Sequence, residues 1–145
     1  PISLADLLPT IADLAGHSGR RLMKTIDGGT IKKVLFNSGN RKVKRKDKGF
    51  YFHVPYINNI ALGRPHSSII TDSYKLIKFH DNNELNLFDL TIDIGEKNNI
   101  AEEFPLRAKK LESKMEDYFK KYKTVKWEKG IDWKFESIEE INSFY

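Results

Sequence analysis

The sequence predicts an α+β fold, in which a small antiparallel sheet of three to four strands packs against a long C-terminal helix and follows a short helix. Residues 49–90 contain short runs of β-branched and aromatic residues separated by turn residues, which is typical of antiparallel strands. Residues 105–122 repeat apolar side chains every three to four positions, as an amphipathic helix does. Because the predicted strands are neighbours in the chain, we expect a meander.

The first predicted element is a short helix over residues 7–15. Its apolar side chains recur on one helical face, and they are Leu7, Leu8, Ile11 and Leu14. We expect Asp6 to cap the start of this helix and Gly16 to close its end. Glycines and a basic run interrupt any periodicity in residues 17–48, so we predict a loop with one short element there.

Four segments have the composition of β-strands: residues 50–54, residues 67–71, residues 74–79 and a last strand from residue 85. Side chains alternate between the two faces of a strand. In the first strand this alternation predicts an apolar face of Phe50, Phe52 and Val54, with Tyr51 and His53 on the opposite face. The turn residues Asp72–Ser73 and His80–Asn83 separate the later strands.

The long helix is predicted to start at Pro105, because proline is favoured at the first helical position. Its apolar stripe, which we expect to cover the sheet, consists of Ala108, Leu111, Met115, Phe119 and Tyr122. Residues 123–145 contain Trp127 and Trp133, and Ser137–Glu140 has the spacing of a capping box, which predicts a short last helix.

Composition sets outer bounds on function. The 145 residues suit one domain, and the net charge of +5 permits an anionic partner without requiring one. The chain contains no cysteine, which excludes disulfides, thiolate zinc sites and a cysteine nucleophile within it. No apolar run approaches the length of a membrane-spanning helix, so we expect no membrane partner.

Four residues are candidates for binding a substrate: His53, Tyr56, Arg64 and His66. His53 lies in a strand, where a hydrogen-bonded structural histidine is the alternative interpretation. Arg64 and His66 flank a proline before the second strand, and an arginine suits a sulfate or carboxylate through paired hydrogen bonds. A solvated loop is the alternative for both residues. Tyr56 has the ring to stack on a sugar, with a partly buried aromatic as the alternative.

Three acidic residues, Asp89, Asp93 and Glu96, raise the question of a calcium site. Their spacing does not reproduce an EF-hand loop, which needs oxygen ligands at alternate positions and a distant glutamate. We therefore predict that they form a turn and that the chain holds no metal site. We also predict that Lys75 is a solvated or paired residue of the sheet.

A basic run supplies a second functional hypothesis. Six of the eight residues from Arg41 to Lys48 are cationic, and three aromatic residues, Phe50–Phe52, follow soon after. This pattern suits a small module that binds a sulfated polysaccharide or nucleic acid. The chain carries no nucleic-acid-binding motif, so nucleic acid is the less favoured ligand.

A series of short motifs occurs in a fixed order along the chain. They are residues 49–55 (GFYFHVP), 65–70 (PHSSII), 74–79 (YKLIKF), 85–90 (LNLFDL), 93–96 (DIGE) and 98–101 (NNIA). This series resembles the C-terminal part of a sulfatase, in the arylsulfatase family of the alkaline-phosphatase-like superfamily. Residues 3–16 also resemble the stretch that ends the large N-terminal catalytic domain of that family.

The resemblance implies a division of the chain. Residues 1–48 would be the end of the N-terminal catalytic domain and a connecting loop, residues 49–122 the sulfatase C-terminal subdomain, and residues 123–145 a C-terminal extension. The partners implied are the catalytic domain and a sulfated ester substrate of the intact enzyme. The resemblance also implies a periplasmic or extracellular location.

The family's cofactors are formylglycine, made from the first residue of a Cys- or Ser-x-Pro-x-Arg motif, and calcium. The residues two before each internal proline are Leu7, His53, Gly63 and Glu103, so none stands in the nucleophile position. We therefore predict no catalytic residue and no cofactor in this chain. The resemblance implies a scaffold that forms part of the rim of the substrate pocket and is inactive alone.

Overall fold

The computed structural model describes residues 1–17, 26–37, 42–56, 63–71 and 73–126. Its contacts divide the chain into two compact units, Pro1–Lys48 and Gly49–Tyr145. Several predictions fall outside the described residues. They concern Asp72 of the hairpin turn, Arg41 of the basic run, Trp127, Trp133 and the last helix at Ser137–Glu140.

The first unit consists of short helices. A 3₁₀ helix, Leu4–Asp6, leads directly into α1, Leu7–Leu14, and α2 follows at Lys32–Phe36. The predicted helix over residues 7–15 and the one short element within residues 17–48 are thus confirmed. Gly16 has a φ of 80°, a left-handed conformation that suits glycine at the end of a helix.

Asp6 holds the first unit together, and the prediction that it caps α1 is wrong. Its carboxylate makes no capping bond to α1. It accepts backbone hydrogen bonds from Ser3 at 2.8 Å and Gly29 at 2.9 Å. Arg45 donates from Nε at 2.8 Å and from an Nη atom at 2.5 Å. The side chain is 1% exposed, so these donors replace the water that the carboxylate loses on burial.

A glycine makes this arrangement sterically feasible. Any side chain at Gly28 would collide with the backbone carbonyl of Ala5. The close approach of the two backbone segments brings the amide of Gly29 within reach of Asp6. Gly28 and Gly29 therefore have a packing role.

The apolar face of α1 is exposed. Leu7, Leu8, Ile11 and Leu14 lie on one helical face as predicted, yet each is 48% to 63% exposed. The adjoining Ile2 and Leu4 are 64% and 86% exposed. A contiguous apolar surface of this kind usually marks a site of contact with another protein surface.

The second unit is a four-stranded antiparallel meander covered by one long helix. The strands are β1 (Phe50–Val54), β2 (His66–Ile70), β3 (Tyr74–Phe79) and β4 (Leu85–Asp89), in the spatial order β1-β2-β3-β4, and α3 spans Pro105–Tyr122. Pro105 lies at the start of α3, where its missing amide costs nothing. The predicted α+β class is confirmed. No helix within the described residues is long and apolar enough to cross a membrane.

One row of side chains across the sheet forms the core. Ile69 pairs with Leu76, and Leu76 pairs with Leu87, so all three lie side by side on one face. They are fully buried with Ala108 and Met115 of α3. Full burial of an aliphatic side chain of this size contributes about 1.5 to 3 kcal/mol to folding. The predicted stripe of α3 is thus confirmed, except that Tyr122 remains 39% exposed.

The predicted faces of β1 are reversed in the structure. Side chains alternate as expected, but Tyr51 and His53 lie on the side covered by α3. The Tyr51 ring stacks on Tyr118 with 3.7 Å between ring centroids, while Phe52 on the other face is 51% exposed. The other sheet face has its own apolar cluster, of Ile77, Phe79 and Phe88. Both faces of this sheet are apolar, so hydrophobicity alone does not identify the helix side of β1.

The Asp6–Arg45 pair provides a test of the first unit. We expect Asp6→Ala to lower the free energy of unfolding by about 3 kcal/mol. The substitution removes the carboxylate of a buried ion pair and leaves the Arg45 guanidinium without that partner. Chemical denaturation followed by circular dichroism measures this change. The control is Asp13→Ala, which breaks the exposed pair with Lys32 and should have a much smaller effect. Equal effects of the two substitutions would contradict the role given to Asp6.

Candidate functional site

His53 lies beneath the C-terminal end of α3. Its ring is 4.6 Å from the Phe119 ring, measured between centroids. Its Nδ1 lies 2.6 Å from Ser67 Oγ on the neighbouring strand, and its Nε2 lies 2.5 Å from the carbonyl oxygen of Val125. The histidine thus links β1, β2 and the segment after α3 through hydrogen bonds.

Ser67 connects His53 to a second histidine. Its Oγ lies 2.7 Å from Nε2 of His80, and the Ser67 side chain is fully buried. A carbonyl oxygen only accepts hydrogen bonds, so Nε2 of His53 carries a proton and donates a hydrogen bond to the carbonyl oxygen of Val125. In the neutral His53 ring, Nδ1 therefore accepts from the Ser67 hydroxyl, which in turn accepts from Nε2–H of His80. We call this set the His53–Ser67–His80 chain.

The His53–Ser67–His80 chain is suited to holding structure rather than to nucleophilic attack. A nucleophilic serine must reach its substrate, but Ser67 is 0% exposed. Burial, together with the nearby His53, Lys78 and His66, lowers the pKa of His80 to about 4, with Asp81 acting in the opposite direction. His80 is therefore a neutral ring near pH 7.

A cleft of about 540 Å³ lies beside this chain. His53 and His80 line it, with Met115 and Phe119 of α3. Its cationic lining residues are Lys78, Lys120, Lys123 and Lys126, against the single carboxylate of Glu116. Lys78 is itself paired with Glu112 and Glu116. The remaining lysines give the rim of the cleft a positive charge.

Arg64 is held by acidic neighbours on the β3–β4 connection. Its Nε and Nη2 donate to the two carboxylate oxygens of Asp81, each at 2.8 Å, and it also contacts Glu84. Its guanidinium lies 4.0 Å from the centre of the Phe79 ring. These hydrogen bonds raise the pKa of Arg64 and lower that of Asp81. The paired N–H donors of Arg64 would suit an anionic ligand, but they already donate hydrogen bonds to Asp81.

His66 and Tyr56 lie apart from the cleft. His66 is 9% exposed, and its Nδ1 lies 2.7 Å from the carbonyl oxygen of Arg64, to which it donates. Tyr56 is 40% exposed and follows Pro55 after β1. Among the described residues, His53 is the one predicted site residue that lines the cleft. The structure does not bring the four predicted residues into a single pocket.

Sequence reasoning missed Ser67 and His80. The available signal was register: residues 53, 67 and 78 are cross-strand partners, which places Ser67 on the same face as His53. Ser67 was predicted to belong to a strand, but a serine among β-branched residues gave no indication of a buried hydrogen-bonding role. His80 was assigned to a turn, and the alternation of side chains along a strand does not predict the side of the sheet on which a turn residue lies.

Asp89, Asp93 and Glu96 organise the turns after β4. Asp89 accepts hydrogen bonds from the amide and hydroxyl of Thr91, and Asp93 accepts from two backbone amides. Glu96 pairs with Lys75 at 2.6 Å. The turn interpretation of the acidic residues and the paired interpretation of Lys75 are confirmed.

The chain matches a family model described as N-sulphoglucosamine sulphohydrolase, C-terminal, over residues 2–125. The chain belongs to this sulfatase C-terminal family. The suspected resemblance to the C-terminal part of a sulfatase is thereby confirmed. No curated protein matches the chain.

Solved structures of sulfatases are similar to the chain. The structure of BT4656, described in complex with its substrate D-glucosamine-2-N,6-O-disulfate, is 30% identical with a TM-score of 0.60, and the match covers 87% of this chain and 25% of that one. A putative sulfatase from Bacteroides thetaiotaomicron VPI-5482 is 22% identical with a TM-score of 0.61, covering 85% and 26%. BT1596, described as a 2-O GAG sulfatase, gives the same values. The latter two show the fold alone.

The chain therefore spans about a quarter of the length of the solved sulfatases that it matches. The 74–79 and 85–90 motifs correspond to β3 and to β4 with the residue after it. Among the described residues, no three His, Cys, Asp or Glu side chains gather as a set of metal ligands. The described residues thus offer no ligand set that fits calcium, and we derive no step through that ion.

The low pKa of His80 predicts a pH-dependent stability. In the unfolded chain a histidine titrates near 6.5, whereas folded His80 titrates near 4. The contribution of His80 to the free energy of unfolding is complete above pH 6.5. It is lost as the pH falls towards 4, because the unfolded chain then binds a proton that the folded chain does not. We expect a loss of no more than about 3 kcal/mol, since solvent screens the partly exposed ring.

Denaturant unfolding of the wild type and His80→Gln at several pH values between 4 and 7 measures this effect. Glutamine retains a hydrogen bond to Ser67 but does not titrate, so its stability should change less over this range. His17→Gln, which alters an exposed histidine, is the matched control and should keep the slope of the wild type. A parallel pH dependence of the wild type and His80→Gln would show that His80 is not the group responsible.

Proposed function

We propose that this chain is the C-terminal subdomain of a sulfatase that hydrolyses sulfate esters of sulfated amino sugars. The observation that carries the proposal is the 30% identity to BT4656 over 87% of the chain, since the substrate named for that protein is a disulfated glucosamine. The chain spans about a quarter of BT4656, so the proposed activity belongs to a longer enzyme. The chain itself acts as a scaffold and is inactive alone.

The scaffold role is supported by the exposed apolar face of the first unit. This surface consists of Ile2, Leu4, Leu7, Leu8, Ile11 and Leu14. Burying it against a catalytic domain would remove a large apolar area from water, which favours association. In this proposal residues 1–48 complete the catalytic domain, residues 49–122 form the subdomain, and residues 123–145 are an extension.

The reactive groups of the proposed enzyme lie elsewhere in the longer chain. In the family that the chain resembles, a formylglycine would supply the nucleophile and calcium would supply positive charge for the sulfate. The 145 residues contain no cysteine, and none of the four residues that lie two positions before an internal proline is a serine. A sulfated ester and the catalytic domain are therefore the partners that the proposal requires.

Contact with the substrate by His53, Tyr56, Arg64 and His66 stays a prediction. The position of His53 at the cationic cleft supports such contact for that residue. Arg64 would have to exchange Asp81 for the substrate, because both face the same guanidinium nitrogens. In this proposal Arg64 and His66 chiefly shape the loop before β2.

The alternative of a basic module is weaker. Arg45, near the middle of the cationic run, is committed to the buried carboxylate of Asp6. Its positive charge is therefore neutralised within the fold, and the remaining run is less suited to a polyanion.

Sulfate release tests the proposal. We expect the 145-residue chain to give no release above a buffer blank from either 4-nitrophenyl sulfate or D-glucosamine-2-N,6-O-disulfate, because it lacks the nucleophile. The full product of the same gene is expected to release sulfate from the disulfated sugar. Turnover by the 145-residue chain would contradict the scaffold role, and a full product that leaves the sugar intact would contradict the proposed substrate class.

A further inference from the structure

An open groove of about 870 Å³ runs along the first half of α3. Three cations line it, Arg107, Lys110 and Lys114, together with the aromatic rings of Tyr74 and Phe104. We propose that this groove binds a strand of sulfated polysaccharide, with the three cations contacting its sulfate or carboxylate groups. The choice of ligand class rests on the proposed function, whereas the existence of the groove does not depend on that function.

Helix geometry aligns the three cations. Residues at positions i, i+3 and i+7 lie on the same side of an α-helix, and seven residues span about 10 Å. Arg107, Lys110 and Lys114 have this spacing. The acidic residues Glu112 and Glu116 lie on another side, where they pair with Lys78 of β3. The groove receives a row of cations long enough for more than one anionic group, and Asp117 of α3 also lines it.

Arg107 is partly ordered before any ligand binds. Its guanidinium lies 4.3 Å from the centre of the Tyr74 ring. Tyr74 donates a hydrogen bond to Asp89, which fixes the ring and raises the pKa of Tyr74. Stacking leaves the edge of the guanidinium available for paired hydrogen bonds to a sulfate or carboxylate. An ordered side chain loses less conformational entropy on binding, which favours affinity.

The groove also offers apolar surface beside the cations. Phe104 is 48% exposed and Leu106 is 84% exposed. An exposed aromatic ring packs well against the C–H face of a sugar. Two carboxylates, Glu103 and Asp117, also line the groove. They lower the net positive charge of the groove, which weakens its attraction for any polyanion.

A charge-matched pair of variants tests the groove. The groove variant is Arg107→Gln, Lys110→Gln and Lys114→Gln, and the control is Lys33→Gln, Lys97→Gln and Lys109→Gln, at exposed lysines outside the groove. Both remove three positive charges, and glutamine preserves helix propensity. The probe is a fluorescent heparin octasaccharide, titrated with each 145-residue protein at 0.1 M salt and followed by fluorescence anisotropy.

We expect the groove variant to bind about ten-fold or more weakly than the wild type and to show a shallower dependence of affinity on salt. The control should stay within about three-fold of the wild type, since only long-range charge is lost. Far-ultraviolet circular dichroism checks that both variants keep their helix content. Equal losses in the two variants, or no loss in the groove variant, would overturn the proposal.

Two further measurements test the ligand class. Phe104→Ala should weaken heparin binding, and a single-stranded oligonucleotide of similar charge should bind the wild type less tightly than heparin. An oligonucleotide that binds as tightly, with no effect of Phe104→Ala on heparin, would overturn the saccharide assignment. Release of sulfate from the disulfated monosaccharide by the full gene product decides the proposed function separately, because that reaction does not require a polysaccharide strand.

Discussion

The burial of Ile69, Leu76 and Leu87 beneath Ala108 and Met115 is the interaction on which the second unit depends. The three strand residues form a continuous row because their strands pair in register. Four short strands bury little apolar surface by themselves, and a helix must cover one face to exclude water. This contact fixes α3 across the sheet and thereby sets the position of every group that α3 carries.

Two concave features of the second unit border α3. The C-terminal half of the helix closes the cleft beside the His53–Ser67–His80 chain, and the N-terminal half forms one wall of the groove with Tyr74. Glu112 and Glu116 of the helix pair with Lys78, and the groove cations lie on another side together with Asp117. A single packing contact thus supports two surfaces of different chemistry.

The sequence predicted those parts of the fold that follow local patterns. The stripe of α3 is periodic, the strands from Tyr74 to Phe79 and from Leu85 are apolar runs bounded by turn residues, and all three appear as expected. The face of β1 was assigned wrongly, because both faces of the sheet are apolar and periodicity does not distinguish them. Asp6 was assigned a local capping role, whereas its partners Gly29 and Arg45 lie 23 and 39 residues away. Long-range partners of this kind leave no local signal, and the same reason explains why Ser67 and His80 were missed.

The central claim is that this chain completes a sulfatase. The most direct measurement is to sequence and translate about 300 to 400 codons upstream of Pro1, as the length of the solved sulfatases requires. The account predicts a Cys- or Ser-x-Pro-x-Arg motif together with an early pair of aspartates. A stop codon close to Pro1, or an unrelated domain in this stretch, would contradict it.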